Sequence, residues 1–147
     1  MKAQVKWVEN SLYIAEAESG HGVLIDGPPA LGGRNLGVRP MEMILMGLGG
    51  CISLNVMEIL AKSRQPVVDC VAELQAERAE TVPKVFTIIH VNFVVTGSGL
   101  KESSVERAVS LSIEKYCSGA RMLSASVDIT HSFEIREAGA DSVRSEP

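Results

Sequence analysis

The stretch MILMGLGGCISLNV, Met43 to Val56, is nearly all apolar and sets three glycines just ahead of one cysteine. Pro40 suits the first turn of a helix, where its missing N–H costs nothing. Residues from about Pro40 to Lys62 are therefore predicted to form one helix, which Gln65-Pro66 closes. One side would carry Ile44, Leu48, Cys51, Leu54, Asn55 and Glu58, and the other Leu45, Ile52, Val56 and Ile59. A helix apolar on both sides is expected to be buried nearly all round. Gly47, Gly49 and Gly50 each cost about 1 kcal/mol relative to Ala in a helix interior, so packing or function must offset them. Their bare backbone leaves room for a second chain segment or a ligand beside Cys51.

The flanking sequence supplies strands. Residues 2 to 26 read as short strands with turns at Glu9-Asn10-Ser11 and Ser19-Gly20. A loop rich in Gly and Pro follows, GPPALGGRNLGVRP, from Gly27 to Pro40, and ordered connections of that length are often functional. Beyond the helix, Val67 to Glu80 alternates Val68, Cys70, Ala72, Leu74 and Ala76 with Asp69, Glu73, Gln75 and Glu77, the pattern of a half-buried strand. After a turn near Pro83, KVFTIIHVNFVVTG (Lys84 to Gly97) completes a long antiparallel hairpin. From Lys101 to Cys117 a stripe of Val105, Ala108, Val109, Ile113, Tyr116 and Cys117 predicts a second helix, with Cys117 at its core-facing end and a break at Ser118-Gly119. VDITHSFEI, Val127 to Ile135, alternates again and reads as the last strand. Strands, helix, hairpin, helix and strand in that order indicate an α+β fold.

Composition sets the outer bounds. At 147 residues, 46% apolar and 22% charged, the sequence reads as a single globular domain over residues 1–137, with a flexible tail at 138–147. A net charge of −4 and the lack of a Lys/Arg run argue against nucleic acid. The N-terminus has no secretory signal, and the run from Met43 to Leu54 falls short of the ~20 residues of a membrane span. A cytoplasmic protein without a membrane partner is expected.

The chemistry centres on cysteine. Cys51, Cys70 and Cys117 are widely spaced and odd in number, unlike a secreted disulfide framework. No two Cys or His residues stand at the close spacing of a zinc site, so neither metal nor cofactor is expected. His21 falls in a turn, His90 on a polar strand face, and His131 among apolar neighbours, where a buried, hydrogen-bonded ring is expected. The loop glycines form neither GxGxxG nor a P-loop. Cys70, on a core face, reads as a small hydrophobe. What remains is a glycine-backed Cys51 in one helix and Cys117 at the end of the other.

The segment PMEMILMGLGGCIS, Pro40 to Ser53, resembles the first signature of the OsmC/Ohr family, the osmotically inducible protein C and organic hydroperoxide resistance proteins. EKYCS, Glu114 to Ser118, resembles the second, where a Cys also ends a helix. The resemblance covers Met1 to Glu137. It is closest to the YhfA-like subgroup, through VKWVE (Val5 to Glu9), RQPVVDC (Arg64 to Cys70) and THSFE (Thr130 to Glu134).

This resemblance implies an intertwined homodimer with central helices packed together and active sites at the interface. It also implies a thiol peroxidase of oxidative-stress defence. Cys51 would attack an organic hydroperoxide and become a sulfenic acid, Cys117 would condense with it to a disulfide, and an external thiol or dithiol would reduce that disulfide. Gly47, Leu48 and Gly50 would line the substrate pocket. In the peroxidases a loop Arg, held by a Glu directly after the Pro, stabilises the thiolate. Here Met41 takes the Glu position, with Glu42 next, and the loop offers Arg34 and Arg39. Glu42, Arg39 and Arg34 are thus the supporting candidates, and Arg121 is a further cation. Ser118 replaces the family's usual Pro. A buried Cys51 without a cation beside it would have a raised pKa and react slowly. The alternative reading is a non-catalytic or redox-sensing dimer that binds a small hydrophobic ligand in the same cavity.

Overall fold

The computed structural model describes residues 1–139, so most of the tail expected at 138–147 lies outside the described residues. Two compact units make up the chain, Met1–Met46 and a second that starts at Gly47.

In the first unit, β1 (Ala3–Glu9), β2 (Leu12–Ala17) and β3 (Gly22–Ile25) form an antiparallel meander in which Trp7 faces Tyr13 and Ala15 faces Val23. The turns fall where the sequence placed them: Asn10 adopts φ 47° and Gly20 φ 82°, left-handed conformations that Asn and Gly tolerate best. Val5, Trp7, Ile14, Val23 and Leu24 of this sheet are exposed. The Gly/Pro loop forms a single 3₁₀ turn at Pro29–Leu31 and then folds back on itself. Gly33 comes so near Gly27 that a Cβ on it would stand 1.8 Å from the Gly27 carbonyl oxygen. Next, α1 (Pro40–Lys62) begins, and the Glu42 carboxylate reaches back to accept the Arg39 N–H at 2.8 Å, as the acid of a capping box does.

The second unit holds a three-stranded sheet in the order β4 (Val67–Arg78), β5 (Phe86–Gly97), β6 (Asp128–Glu137). The hairpin β4–β5 is antiparallel, from Val67 opposite Gly97 to Arg78 opposite Phe86. Strand β6 pairs parallel to β5, from Ile88 beside Asp128 to Gly97 beside Glu137, because the chain returns through helices. Those are α2 (Glu102–Leu111) and α3 (Ser118–Leu123). The core draws Ile89, Val91, Phe93 and Val95 from β5, Leu48, Ile52, Val56 and Leu60 from α1, and Val105, Ala108 and Val109 from α2.

Three local expectations are corrected. Helix α1 is not buried all round in the single chain: its inward stripe repeats every fourth residue, while Ile44, Met46, Leu54 and Met57 are exposed, Leu54 by 77%. At 23 residues it is also long and apolar enough, by length and composition, to cross a membrane, which the shorter run Met43 to Leu54 did not suggest. Val68 is exposed rather than core-facing, since a register shift between Val67 and Asp69 takes it out of the alternation. Finally, Lys101 to Cys117 is not one helix. The α-helical part stops at Leu111, and a π turn, Ser112–Tyr116, carries the chain to Cys117.

Candidate active site

Cys51 sits near the middle of α1, on the edge of its buried stripe, and its carbonyl accepts a bond from Asn55 Nδ2 at 3.0 Å. Cys117 is placed by the π turn. Its N–H bonds Ser112 O, five residues back, at 2.8 Å, so one extra residue is spent in the turn. Cys117 then leaves the helix in an extended conformation, φ −74° and ψ 112°, and caps α3 by accepting the Ala120 N–H on its own sulfur at 3.3 Å. This geometry brings two sulfurs together from 66 residues apart. The Cys117 thiol donates to Cys51 Sγ at 2.8 Å, and both cysteines are free.

Backbone closes over the pair. A Cβ on Gly119 would stand 3.6 Å from Leu48 Cδ1, 3.7 Å from Cys117 Sγ and 4.0 Å from Cys51 Cβ, so nothing but main chain separates this turn from the sulfurs. Electrostatics follow from that contact. Burial pushes the Cys51 thiol up, but the hydrogen bond from Cys117 and the backbone N–H groups of Gly119 and Ser118 outweigh it, and its pKa falls below the ordinary thiol value. Cys117 moves the other way, raised by burial first and then by its hydrogen bond to Cys51. The expected rise at Cys51 is thereby corrected: donors to a sulfur can lower its pKa without a cation. The two shifts run in opposite directions, so within the pair the negative charge is favoured on Cys51 over Cys117.

The remaining candidates fall elsewhere. The Arg34 guanidinium pairs with the Glu9 carboxylate. Arg39 donates to the carbonyls of Asp26 (3.1 Å) and Gly37 (3.2 Å) and to Asn35 Oδ1 (2.8 Å), while Glu42 is occupied by the Arg39 N–H. All three find these partners within the first unit, and Arg39 is tied to the loop rather than to Glu42's carboxylate through its guanidinium. Leu48 Cδ1 lies against Gly119, the residue that also neighbours Cys51 and Cys117, whereas a Cβ on Gly47 or Gly50 would meet nothing within 4 Å. The tight glycine is Gly49, where a Cβ would stand 2.7 Å from Leu74 Cδ1. Arg121 is exposed in α3. Cys70 is half-buried in β4, and burial, followed by the charge of Asp69, raises its pKa. His131 has the expected hydrogen-bond partner, with Nε2 3.3 Å from the Ser110 hydroxyl, but is half-buried rather than buried. Among the described residues no group of three or more His, Cys, Asp or Glu side chains is placed to hold a metal.

Sequence reasoning missed Asp26. It is 2% exposed, yet its carboxylate accepts N–H bonds from Gly27 (2.7 Å), Arg34 (2.9 Å) and Leu36 (3.0 Å) and the Ser11 hydroxyl (3.0 Å). Led by the Leu36 N–H, these donors outweigh desolvation and hold its pKa at about 2. The available signal was an Asp-Gly step at the end of a strand, the usual mark of a side chain that organises a turn.

Comparison with known proteins supplies the wider setting. The OsmC-like protein family model matches residues 32–132. Protein YhfA of Escherichia coli K12 is 50% identical over 135 residues, which cover 92% of this chain and 98% of the relative. A crystal structure of a hypothetical protein from Aquifex aeolicus VF5 superposes with a TM-score of 0.82 at 28% identity, over 94% of this chain and 97% of that one. The organic hydroperoxide resistance protein OhrB of Bacillus subtilis shares the fold at 18% identity, with a TM-score of 0.62 and coverage of 91% and 98%.

Proposed function

Because the chain belongs to the OsmC family, we propose that it is a cysteine-based thiol peroxidase that reduces organic hydroperoxides, with Cys51 peroxidatic and Cys117 resolving. The observation that carries this reading is the 2.8 Å separation of the two sulfurs. Cys51 thiolate attacks a peroxide oxygen, so that an S–O bond forms and the O–O bond breaks. The alcohol leaves with a proton, and Cys51 is left as a sulfenic acid. The Cys117 sulfur then displaces the sulfenic oxygen as water, and the S–S distance closes to about 2.05 Å. Two equivalents of an external thiol, or one dithiol, return both cysteines to thiols and become a disulfide themselves.

The lowered pKa of Cys51 suits the attacking role, and the Cys117 proton is at hand for the alcohol that leaves, which frees the Cys117 sulfur to attack the sulfenic acid. The apolar residues exposed on α1, Ile44, Met46, Leu54 and Met57, support a homodimer formed through that helix. Unpaired cysteines fit a reducing cytoplasm.

Treating the reduced protein with one equivalent of an organic hydroperoxide tests this function. Intact mass should fall by two hydrogens and peptide mapping should join Cys51 to Cys117. Unchanged mass, or a disulfide through Cys70, overturns the reading. One observation favours the second reading, a dimer that binds a small hydrophobic ligand without turnover: the guanidinium groups of both loop arginines are already engaged, Arg34 by Glu9 and Arg39 by the loop itself.

A further inference from the structure

Cys51, Asn55, Glu58 and Lys62 follow one another at intervals of four, three and four residues, and so share one side of α1. A cleft of ≈ 300 Å³ runs along that side, lined by Asn55, Glu58, Ile59 and Lys62 and, across from them, by Arg107, Leu111 and Tyr116. At one end lie Asn55, whose amide bonds the Cys51 carbonyl, and Tyr116, the residue before Cys117, so the cleft ends about one helical turn from Cys51. At the other end it joins a hollow of ≈ 530 Å³ that shares Ile59, Lys62 and Arg107 and adds the serines Ser63, Ser103 and Ser104. Lys62 is paired with Glu58 at 2.5 Å. Arg107 is exposed, and its guanidinium holds no ion pair or hydrogen bond among the described residues. The far end of the cleft therefore carries one uncompensated cation with hydroxyl groups around it, and its middle offers the apolar Ile59 and Leu111.

We propose that Arg107 is the anchor of an anion subsite, which holds the carboxylate of a reactant whose other end meets Cys51. This deepens the peroxidase reading and rests on it. At ~1.5 Å of rise per residue, Ile59 and Lys62 lie roughly 12 and 16 Å along α1 from Cys51, about the span of an extended acid of ten or so carbons. An anionic head on Arg107, an alkyl chain over Ile59 and Leu111 and a reactive terminus at the dithiol fill the cleft end to end. The carboxylate can belong to either substrate of the cycle, a hydroperoxy acid or a mercapto acid that reduces the disulfide.

The two half-reactions are tested separately. In the oxidative half, the rate constant for loss of Cys51 thiol is measured with a medium-chain hydroperoxy acid and with its methyl ester, in wild type, Arg107→Gln and Arg107→Lys. In the reductive half, the oxidised protein is reduced by 8-mercaptooctanoate and by 8-mercaptooctanol. Arg107→Gln should lower the charged-to-neutral rate ratio about tenfold in one half-reaction, the size of one lost charge-assisted hydrogen bond, and Arg107→Lys should restore most of it. The half that responds identifies the source of the carboxylate. Equal ratios in wild type and Arg107→Gln in both halves overturn the subsite. A third readout does not need turnover: decanoate, but not decanol, should slow alkylation of Cys51 in wild type and fail to do so in Arg107→Gln. If hydroperoxides are not consumed yet decanoate still protects, the peroxidase reading fails and the anion subsite stands. If neither acid nor alcohol protects, the subsite fails on its own.

Discussion

The Asp26 carboxylate receives the backbone N–H of Leu36 at 3.0 Å and that of Arg34 at 2.9 Å, so a single buried side chain takes the place of a sheet ladder for the loop between them. Its pKa of about 2, against 3.8 ordinarily, makes this pinning pH-dependent. The folded value is depressed, so the stabilisation is present above pH 3.8 and is lost as the pH falls through about 2. Trp7 is the only tryptophan and lies in the same unit, so its emission follows that unit. Wild type should hold its Trp7 signal until the pH drops below 4, whereas Asp26→Asn should show a lower melting temperature at neutral pH and a flatter response between pH 4 and 2. If the acid responses of the two are identical, the carboxylate has no such role.

Gly33 tests the same loop by steric means. Its would-be Cβ meets a backbone oxygen, which cannot rotate away as a side-chain tip can. Gly33→Ala should cost about 2–3 kcal/mol, read as a lower urea midpoint for Trp7 emission. Gly32→Ala is a poor control because Gly32 has φ 80°. Ser124→Ala, in the other unit, should leave that midpoint alone.

At the dithiol, the N–H of Ser118 is one of the donors that lower Cys51. Proline has none, but it fits the first position of α3, and the extended Cys117 before it has the conformation that residues preceding proline prefer. Ser118→Pro should therefore fold normally and raise the pKa of Cys51, seen as a shift of the iodoacetamide rate profile to higher pH. Ser118→Ala keeps the N–H and should not shift it. An unmoved profile in the proline variant would assign the lowered pKa to Cys117 and Gly119 alone.

The two sulfurs should separate by mutation. Cys51→Ser should abolish hydroperoxide consumption, and Cys117→Ser should give a single turnover that ends in a sulfenic acid trapped by dimedone. Full turnover of Cys117→Ser with a dithiol would remove its resolving role.

Leu54, the most exposed apolar side chain in the body of α1, tests the proposed dimer. Sedimentation should give twice the chain mass for wild type, and Leu54→Glu should give the monomer. A wild-type monomer would leave the apolar face of α1 without that explanation.

Much of the fold was legible where periodicity was strict. The alternation from Asp69 to Glu77 and the turn residues Asn10 and Gly20 indicated β4 and the meander directly, because side-chain period and φ preference are local properties. The position of β6, parallel and next to β5, was not, since alternation names a strand without naming its neighbour. Both cysteines could be read as a pair only through family resemblance. Their spacing in sequence says nothing, and the stripe that placed Cys117 at a helix end assumed 3.6 residues per turn through a segment that departs from it. Asp26 escaped because one carboxylate in a turn has no period at all.

That departure has a consequence for inheritance. The π turn at Ser112–Tyr116 is a surplus of one residue, and deleting one there would let the helix run on with ordinary pairing. A deletion within α2, which leaves the wide turn in place, would instead turn Cys117 by about 100° around the helix axis. A single lost codon would thus disarm the dithiol with both cysteines still encoded, so in this fold a change of length, and not only a change of residue, can separate the scaffold from its chemistry.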